Sequence, residues 1–365
     1  MSHGGDIYSN KVNIDFSVSL NPAKPDKEDD IALKNAFLAG IDDAGNYPDP
    51  DQREVRSAVA AAEGLAEDNI LAGAGASELI MTLVRMICPK NVLLIEPGYS
   101  GYRYALSTAV GCKVMPHVLR EEDAFAVGRD ILDKITPNTD LLIIQDPINP
   151  TGKKLDTTLL SDILEKADRC YITVLYDRSF FKLSDMYIPE KDDDGRCMRP
   201  KDLIARSGSL YIISSYTKTF ALPGIRMGYV MSTADNISKL KPFLPEWNIS
   251  SVAASLMKTC AKIDGDGSFI RHSLSYIAGE RQYLLSSLSQ LGFTVFDSDT
   301  VFILFKDTRG INIYEELLKR RILIRDCSDI EGLSAGFYRI GIRNHEDNET
   351  IIKELGHIID GKQAI

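Results

Sequence analysis

No two of the six cysteines stand close together in the sequence. Cys88, Cys112, Cys170, Cys197, Cys260 and Cys327 are scattered singly with no CxxC pair, so neither a zinc site nor a disulfide framework is expected. Lone thiols suit a reducing compartment. An excess of basic charge is also missing: 42 Lys and Arg face 52 Asp and Glu, a net charge of −10, which argues against a nucleic-acid partner. No apolar run approaches the ~18 residues of a membrane span. The opening MSHGGDIYSNKVNIDFS has no apolar stretch behind a basic start, so no signal peptide is expected. Repeats and low-complexity tracts are absent. What remains is a 365-residue chain, 44% hydrophobic and 26% charged, of ordinary globular composition, long enough for two cores and read as cytoplasmic.

The middle of the chain alternates short apolar runs with helical patterns, as in a mainly parallel sheet with crossover helices. Strands are predicted at Val92–Ile95, Leu141–Ile144, Ile172–Tyr176, Leu210–Ser214 and Met227–Met231. The final third predicts a long helix from Phe269 to Leu291, a strand at Val301–Phe305, a helix over Ile313–Arg320, strands at Ile322–Arg325 and Tyr338–Ile342, and a closing helix near Ile351–Ile359. That is a smaller α+β unit, completed by residues from the N-terminal segment. Pro189–Pro200 (PEKDDDGRCMRP) is polar and predicts a mobile surface loop.

Candidate chemistry gathers where the predicted strands end, as ligands do in open α/β sheets. Lys218 stands in Ser215-Tyr216-Thr217-Lys218, with Arg226 eight positions later. Asp177 closes the apolar run ITVLYD, where an acid needs a partner. Asn149 lies 28 residues before it, in Asn149-Pro150-Thr151-Gly152. A lysine to join an aldehyde, an aspartate for a pyridinium nitrogen, an asparagine for a ring hydroxyl and an arginine for a phosphate are the parts that hold pyridoxal 5'-phosphate. Gly75-Ala76-Ser77 opens a helical run, where free backbone N–H groups suit a phosphate, and Ser215 and Arg226 complete that cradle. Tyr99, after Pro97-Gly98, is placed to stack on a ring. Taken singly, each has a plainer explanation: a surface lysine, a strand-end turn aspartate, a core tyrosine. Their order and spacing tip the balance.

The segments HGGDI, IDFSVSLNP, NYPDPDQ, ILAGAGASE, PGYSGY, NPTG, DRSFF, SYTKTFALPGIRMGY, RILIRDC and GFYRIGIR resemble the fold-type I pyridoxal-phosphate enzymes of the aminotransferase class I/II superfamily almost end to end. Within it they are most similar to the threonine-phosphate decarboxylase branch, to which the HGG start and the RILIR-C and YRI-IR endings are the more specific. The resemblance implies an α/β fold with a large, mainly parallel seven-stranded-type sheet domain and a smaller α+β domain. It divides the chain into an arm and part of the small domain (1–43), a large cofactor-binding domain (44–240) and a small C-terminal domain (241–365). It implies Lys218 as the Schiff-base lysine, Asp177 as pyridinium partner and Asn149 at the ring hydroxyl. Gly75, Ala76, Ser77, Ser215 and Arg226 would hold the phosphate, with Tyr99 on the ring. Tyr47 would reach the cofactor of a neighbouring subunit in a homodimer with shared sites. Arg339 would bind the substrate carboxylate, with His3 and Arg325 at a substrate phosphate, since guanidinium suits both anions.

Three departures stand out: Ile148 where the family has asparagine, Arg178-Ser179 where it has Glu-Ala, and the longer Pro189–Pro200 interval. Phe180 replaces the tyrosine of many aminotransferases and resembles the decarboxylase branch. The expected reaction is decarboxylation of O-phospho-L-threonine to (R)-1-aminopropan-2-yl phosphate for cobamide assembly. The alternative is a histidinol-phosphate type aminotransferase passing its amino group to 2-oxoglutarate. A third reading, a cofactor-binding regulator, fits poorly with an acidic chain opening directly on HGG.

Overall fold

A computed structural model of the chain describes residues 4–187 and 198–363. Its strands in chain order are β1 (Ile14–Asp15), β2 (Ile70–Ala74), β3 (Asn91–Glu96), β4 (Lys113–Val118), β5 (Leu141–Gln145), β6 (Thr173–Asp177), β7 (Leu210–Ser214), β8 (Met227–Met231), β9 (Thr294–Val295), β10 (Phe302–Lys306), β11 (Ile322–Leu323), β12 (Arg325–Asp326) and β13 (Phe337–Gly341). Seven of them form one sheet in the order β2-β8-β7-β6-β5-β3-β4. Neighbours are parallel except at β8, which runs against both β2 and β7. The five predicted central strands are all present, shifted by at most a residue at either end. Their direction is not written in an apolar run, and β8 had no mark of being reversed.

Both faces of this sheet are covered, which is why its strands read as unbroken apolar runs. Successive side chains point to opposite faces: Leu142, Ile144, Val174 and Ile212 join one core, while Leu141, Ile143, Leu175 and Ile213 join the other. Helix Ala76–Ile87 buries Leu79, Ile80, Leu83 and Val84 as one stripe against the second core. It comes close because residue 228 is glycine: a Cβ there would sit 2.5 Å from the Gly75 carbonyl carbon and 2.6 Å from the Ala76 nitrogen.

The smaller unit is a four-stranded antiparallel sheet in the order β12-β13-β10-β9, with helices Ser268–Gln290, Ile313–Lys319 and His345–Gln363 around a separate apolar cluster. The N-terminal segment completes it: β1 pairs in parallel with β11, and the Phe16 carbonyl accepts from the Gly341 amide at 2.8 Å. The run Ile322–Arg325, predicted as one strand, is divided between two sheets. Ile322 and Leu323 pair with β1, while Arg325 pairs with Arg339 on β13. Consecutive apolar residues carry no alternation to mark such a switch. Helix Ser251–Asp266 was not among the predicted elements, and its buried residues join the large-sheet core although it follows the expected boundary at 240. The closing helix begins at His345, ahead of its expected start. No described helix is long and apolar enough to cross a membrane, and the five cysteines among the described residues are free.

Candidate active site

The carboxyl ends of β2, β3, β5, β6 and β7 deliver Gly75, Tyr99, Asn149, Asp177 and Ser215 to one edge of the large sheet. Because β8 runs the other way, its starting end lies at the same edge and brings Arg226 beside Gly75. A Cβ on residue 75 would lie 2.6 Å from an Arg226 terminal nitrogen, and Gly75 adopts φ +83°. Glycine is required for that backbone conformation, and the missing side chain lets the Arg226 guanidinium lie close. Arg226 itself holds a left-handed φ of 65°, an unusual backbone state for a side-chain-bearing residue.

The connection from β7 to β8 carries Lys218 in the short helix Tyr216–Thr219. Ser215 caps that helix: its Oγ accepts from the Thr217 amide at 3.2 Å and donates to the Met227 carbonyl at 2.6 Å. Thr217 Oγ1 donates to the same carbonyl at 3.1 Å. Asn21 ties the connection from the other side, its amide donating to the Lys218 carbonyl at 3.1 Å and its Nδ2 to the Thr219 carbonyl at 2.8 Å. Lys218 is thus fixed by three residues that leave its amine toward a cavity of about 160 Å³.

Ala76, Ser77, Tyr99, Asn149, Asp177, Ser215, Lys218 and Arg226 share that cavity, so eight of the predicted positions meet in one place. Burial, reinforced by the Arg339 and Arg226 guanidinium groups, holds the Lys218 amine down to about 8, against an upward pull from Asp177. Asp177 is buried and accepts from Tyr102 Oη at 2.7 Å and from the Ser179 amide at 2.8 Å. Burial still lifts its carboxyl above the ordinary carboxylate range despite those donors. An acid so placed gains from a cationic partner. Ser179 lines the same cavity, with its hydroxyl buried beside the Asp177 carboxylate.

A second cavity of about 180 Å³ adjoins the first and shares Tyr99, Asn149, Phe180 and Lys218 with it. Its outer wall holds Arg325 and Arg339, together with Ser17, Val18 and Ser19. The arginines are direct partners in the register of β12 and β13. Like charges set opposite each other in a sheet oppose folding. Arg325 is offset by Asp329 at 2.6 Å. Arg339 is buried, donating to Asn149 Oδ1 and to the Ser17 carbonyl. Burial brings even its guanidinium down to about 10, with Arg325 adding to the effect and Cys327 opposing it. Phe180 packs edge-on against Phe302 at 5.1 Å and forms the floor under Lys218, whose Nζ is 5.7 Å from its ring centre.

Other expected positions lie elsewhere. Tyr47 is 81% exposed, resting on Trp247 at 4.7 Å between ring centres, away from both cavities. His3 lies outside the described residues, as does most of the Pro189–Pro200 stretch. Arg178, read as a charge change beside the site, turns away from it. Its guanidinium lies 3.4 Å from the Phe181 ring centre and donates to the Met198 carbonyl at 3.2 Å. Sequence reasoning passed over Gln145, whose Oε1 accepts from the Asn149 amide at 3.1 Å, and Tyr102 as the partner of Asp177. Tyr102 had one signal, its position three residues after Tyr99 on the same helical face.

A mainly parallel seven-stranded sheet, a smaller α+β unit and a lysine on the β7–β8 connection together are the architecture of fold-type I enzymes. The sequence profile of aminotransferase class I and II matches residues 14–355. The chain belongs to that family. It is 28% identical over 371 residues to threonine-phosphate decarboxylase of Salmonella typhimurium, covering 99% of this chain and 97% of the relative. It is 26% identical over 351 residues to histidinol-phosphate aminotransferase of Clostridium kluyveri, covering 95% and 94%. Among solved structures, the histidinol-phosphate aminotransferase of Clostridium acetobutylicum superposes with a TM-score of 0.83 at 28% identity, covering 96% of this chain and all of that one.

Proposed function

We propose that this chain is a pyridoxal-phosphate-dependent decarboxylase of O-phospho-L-threonine, yielding (R)-1-aminopropan-2-yl phosphate for cobamide synthesis. The observation that carries this reading is the pair of buried arginines set face to face on the wall of the second cavity, beside Lys218. A fold tolerates such a pair for a ligand with two anionic groups, and a phosphorylated amino acid has them.

The residues of the first cavity fit the cofactor. The lowered amine of Lys218, able to join an aldehyde, and the helix start at Ala76 and Ser77, which lines the cavity beside Arg226, each offer it bonding capacity. Lys218 would hold its aldehyde carbon, Asp177 its ring nitrogen, Asn149 its ring hydroxyl, and Ala76, Ser77, Ser215 and Arg226 its phosphate, with Tyr99 against the ring. When bound, the cofactor supplies an electron sink for the pair released at the substrate Cα. Arg339 then holds the carboxylate and Arg325 the phosphate, fixing which bond at Cα is exposed to that sink. Lys218 would carry, as an ammonium, a proton drawn from solvent. It delivers that proton to Cα after CO2 has left, so the carboxylate is replaced by hydrogen. Phe180 and Phe302 keep water from the underside of the reacting centre. We place Tyr47 at the cofactor phosphate of a second copy of the chain, a reading supported by its exposed ring.

The deciding experiment loads the purified protein with cofactor and supplies O-phospho-L-threonine, following CO2 and the aminopropanyl phosphate. A parallel reaction supplies histidinol phosphate with 2-oxoglutarate, read by glutamate. CO2 without a keto acid supports the proposal. Glutamate without CO2 replaces it with the aminotransferase.

The lowered amine gives a pH signature. Capture of cofactor by the empty protein, trapped by borohydride, should accelerate with pH and level off above about 8, since only the neutral amine attacks. Arg339→Gln removes one of the cations that oppose protonation, so its inflection should move upward. A wild-type inflection at the ordinary lysine value of 10.5 would remove burial and charge from the account of Lys218.

A further inference from the structure

Arg339 has both terminal nitrogens committed within the protein, one to Asn149 Oδ1 and the other to the Ser17 carbonyl. Both bonds draw on the planar fork that would grip a carboxylate end-on, leaving one N–H on each terminal nitrogen. A further donor, Nε, is buried and makes no hydrogen bond. Ser19 is in the same condition: it is 3% exposed, its hydroxyl is sealed from water, and that hydroxyl has no partner. Both residues line the second cavity. Buried donors are nearly always paired in folded proteins, so two unpaired ones on a single cavity wall are a signal.

The local architecture shows why they fall together. Residues 17–19 run along β13 so closely that a Cβ on Gly341 would lie 2.2 Å from the Val18 carbonyl oxygen and 3.3 Å from Ser19 Cα. Ser17, two residues before Ser19, has its hydroxyl fully occupied. It donates to Asp15 Oδ1 at 2.5 Å and accepts from the Gly5 amide at 2.7 Å. Ser17 is therefore a structural serine, while Ser19 is polar without a structural use.

We propose that Ser19 Oγ and Arg339 Nε together form a side-on seat for the substrate carboxylate, making Ser19 a carboxylate-binding residue of this site. The inference rests on the reading of Arg339 as the carboxylate ligand. A carboxylate has two acceptor oxygens and no donor, so it satisfies both groups at once. It does so without breaking the bonds that Arg339 makes to Asn149 and Ser17.

The test compares two probes on the cofactor-loaded protein, using the change in visible absorption as the binding signal. O-phospho-L-threonine has the carboxylate; (R)-1-aminopropan-2-yl phosphate lacks it and keeps the amine and phosphate. Ser19→Ala should weaken the first by roughly tenfold, the usual scale of one hydrogen bond to a charged group. It should leave the second within twofold. Thermal stability should hold or rise, because a sealed hydroxyl without a partner is replaced by a methyl. Ser19→Thr, which restores a hydroxyl, should recover part of the lost affinity. Equal loss for both probes, or loss for neither, overturns the seat. If the wild-type protein binds neither probe, the decarboxylase reading fails separately. The seat is then judged with L-glutamate, whose affinity must fall in Ser19→Ala for the proposal to stand.

Discussion

Lys218→Ala is expected to abolish covalent capture of the cofactor and to reduce turnover by at least ~10²–10⁴-fold, the range for loss of one positioned proton-transfer group. Capture is read by borohydride reduction followed by mass measurement. The wild-type peptide containing Lys218 should carry the cofactor's mass, and the variant peptide should not. Added mass on another lysine of the variant would move the assignment away from Lys218. The same substitution should leave the fold intact or firmer. Burial and two guanidinium groups hold the amine down to about 8 from 10.5, so the folded state binds that proton more weakly than the unfolded chain does. The resulting penalty is fully present below about 8 and fades as pH climbs toward 10.5. The thermal midpoint of Lys218→Ala should therefore equal or exceed that of wild type near neutrality, with the gap closing in alkali.

Asp177→Asn should retain covalent capture yet lose ~10²–10³-fold in kcat. Removing one member of a buried ion pair costs about 3–5 kcal/mol, and about 1.4 kcal/mol is a factor of ten in rate. The amide keeps nearly the shape of the carboxylate but neither its charge nor its second acceptor. Tyr102 Oη and the Ser179 amide both donate to Asp177, and an asparagine oxygen accepts only one of them in that geometry. The variant thus combines a ring nitrogen without its counter-charge and a reoriented tyrosine hydroxyl. A kcat within a few-fold of wild type, at full cofactor occupancy, would show that Asp177 does not govern the ring.

Much of this site was legible because its central residues lie at or just past the end of an apolar run. Asp177 ends β6, and Lys218 and Asn149 stand a short turn beyond β7 and β5, so locating the strands also located the edge. Gly75 and Arg226 were legible as motif members, but their contact depends on β8 running backward, and hydrophobicity has no direction. Tyr102 and Gln145 serve Asp177 and Asn149 through contacts across the fold or around a turn, which spacing alone does not specify. Ser19 was invisible for a different reason: its distinction from Ser17 lies in which hydroxyl is already used. Arg178 shows the opposite error, a charge change that looked close to the site in sequence and points out of it in space.

The two cavities have four walls in common: Tyr99, Asn149, Phe180 and Lys218. Shared walls make occupancy of one chamber a thermodynamic variable of the other. Whatever factor the substrate contributes to cofactor retention, the cofactor must return to substrate affinity, because the cycle of binding steps closes. A substitution at Phe180 or Asn149 would therefore be misread if scored on either ligand alone, since its effect belongs to the cross-term between them.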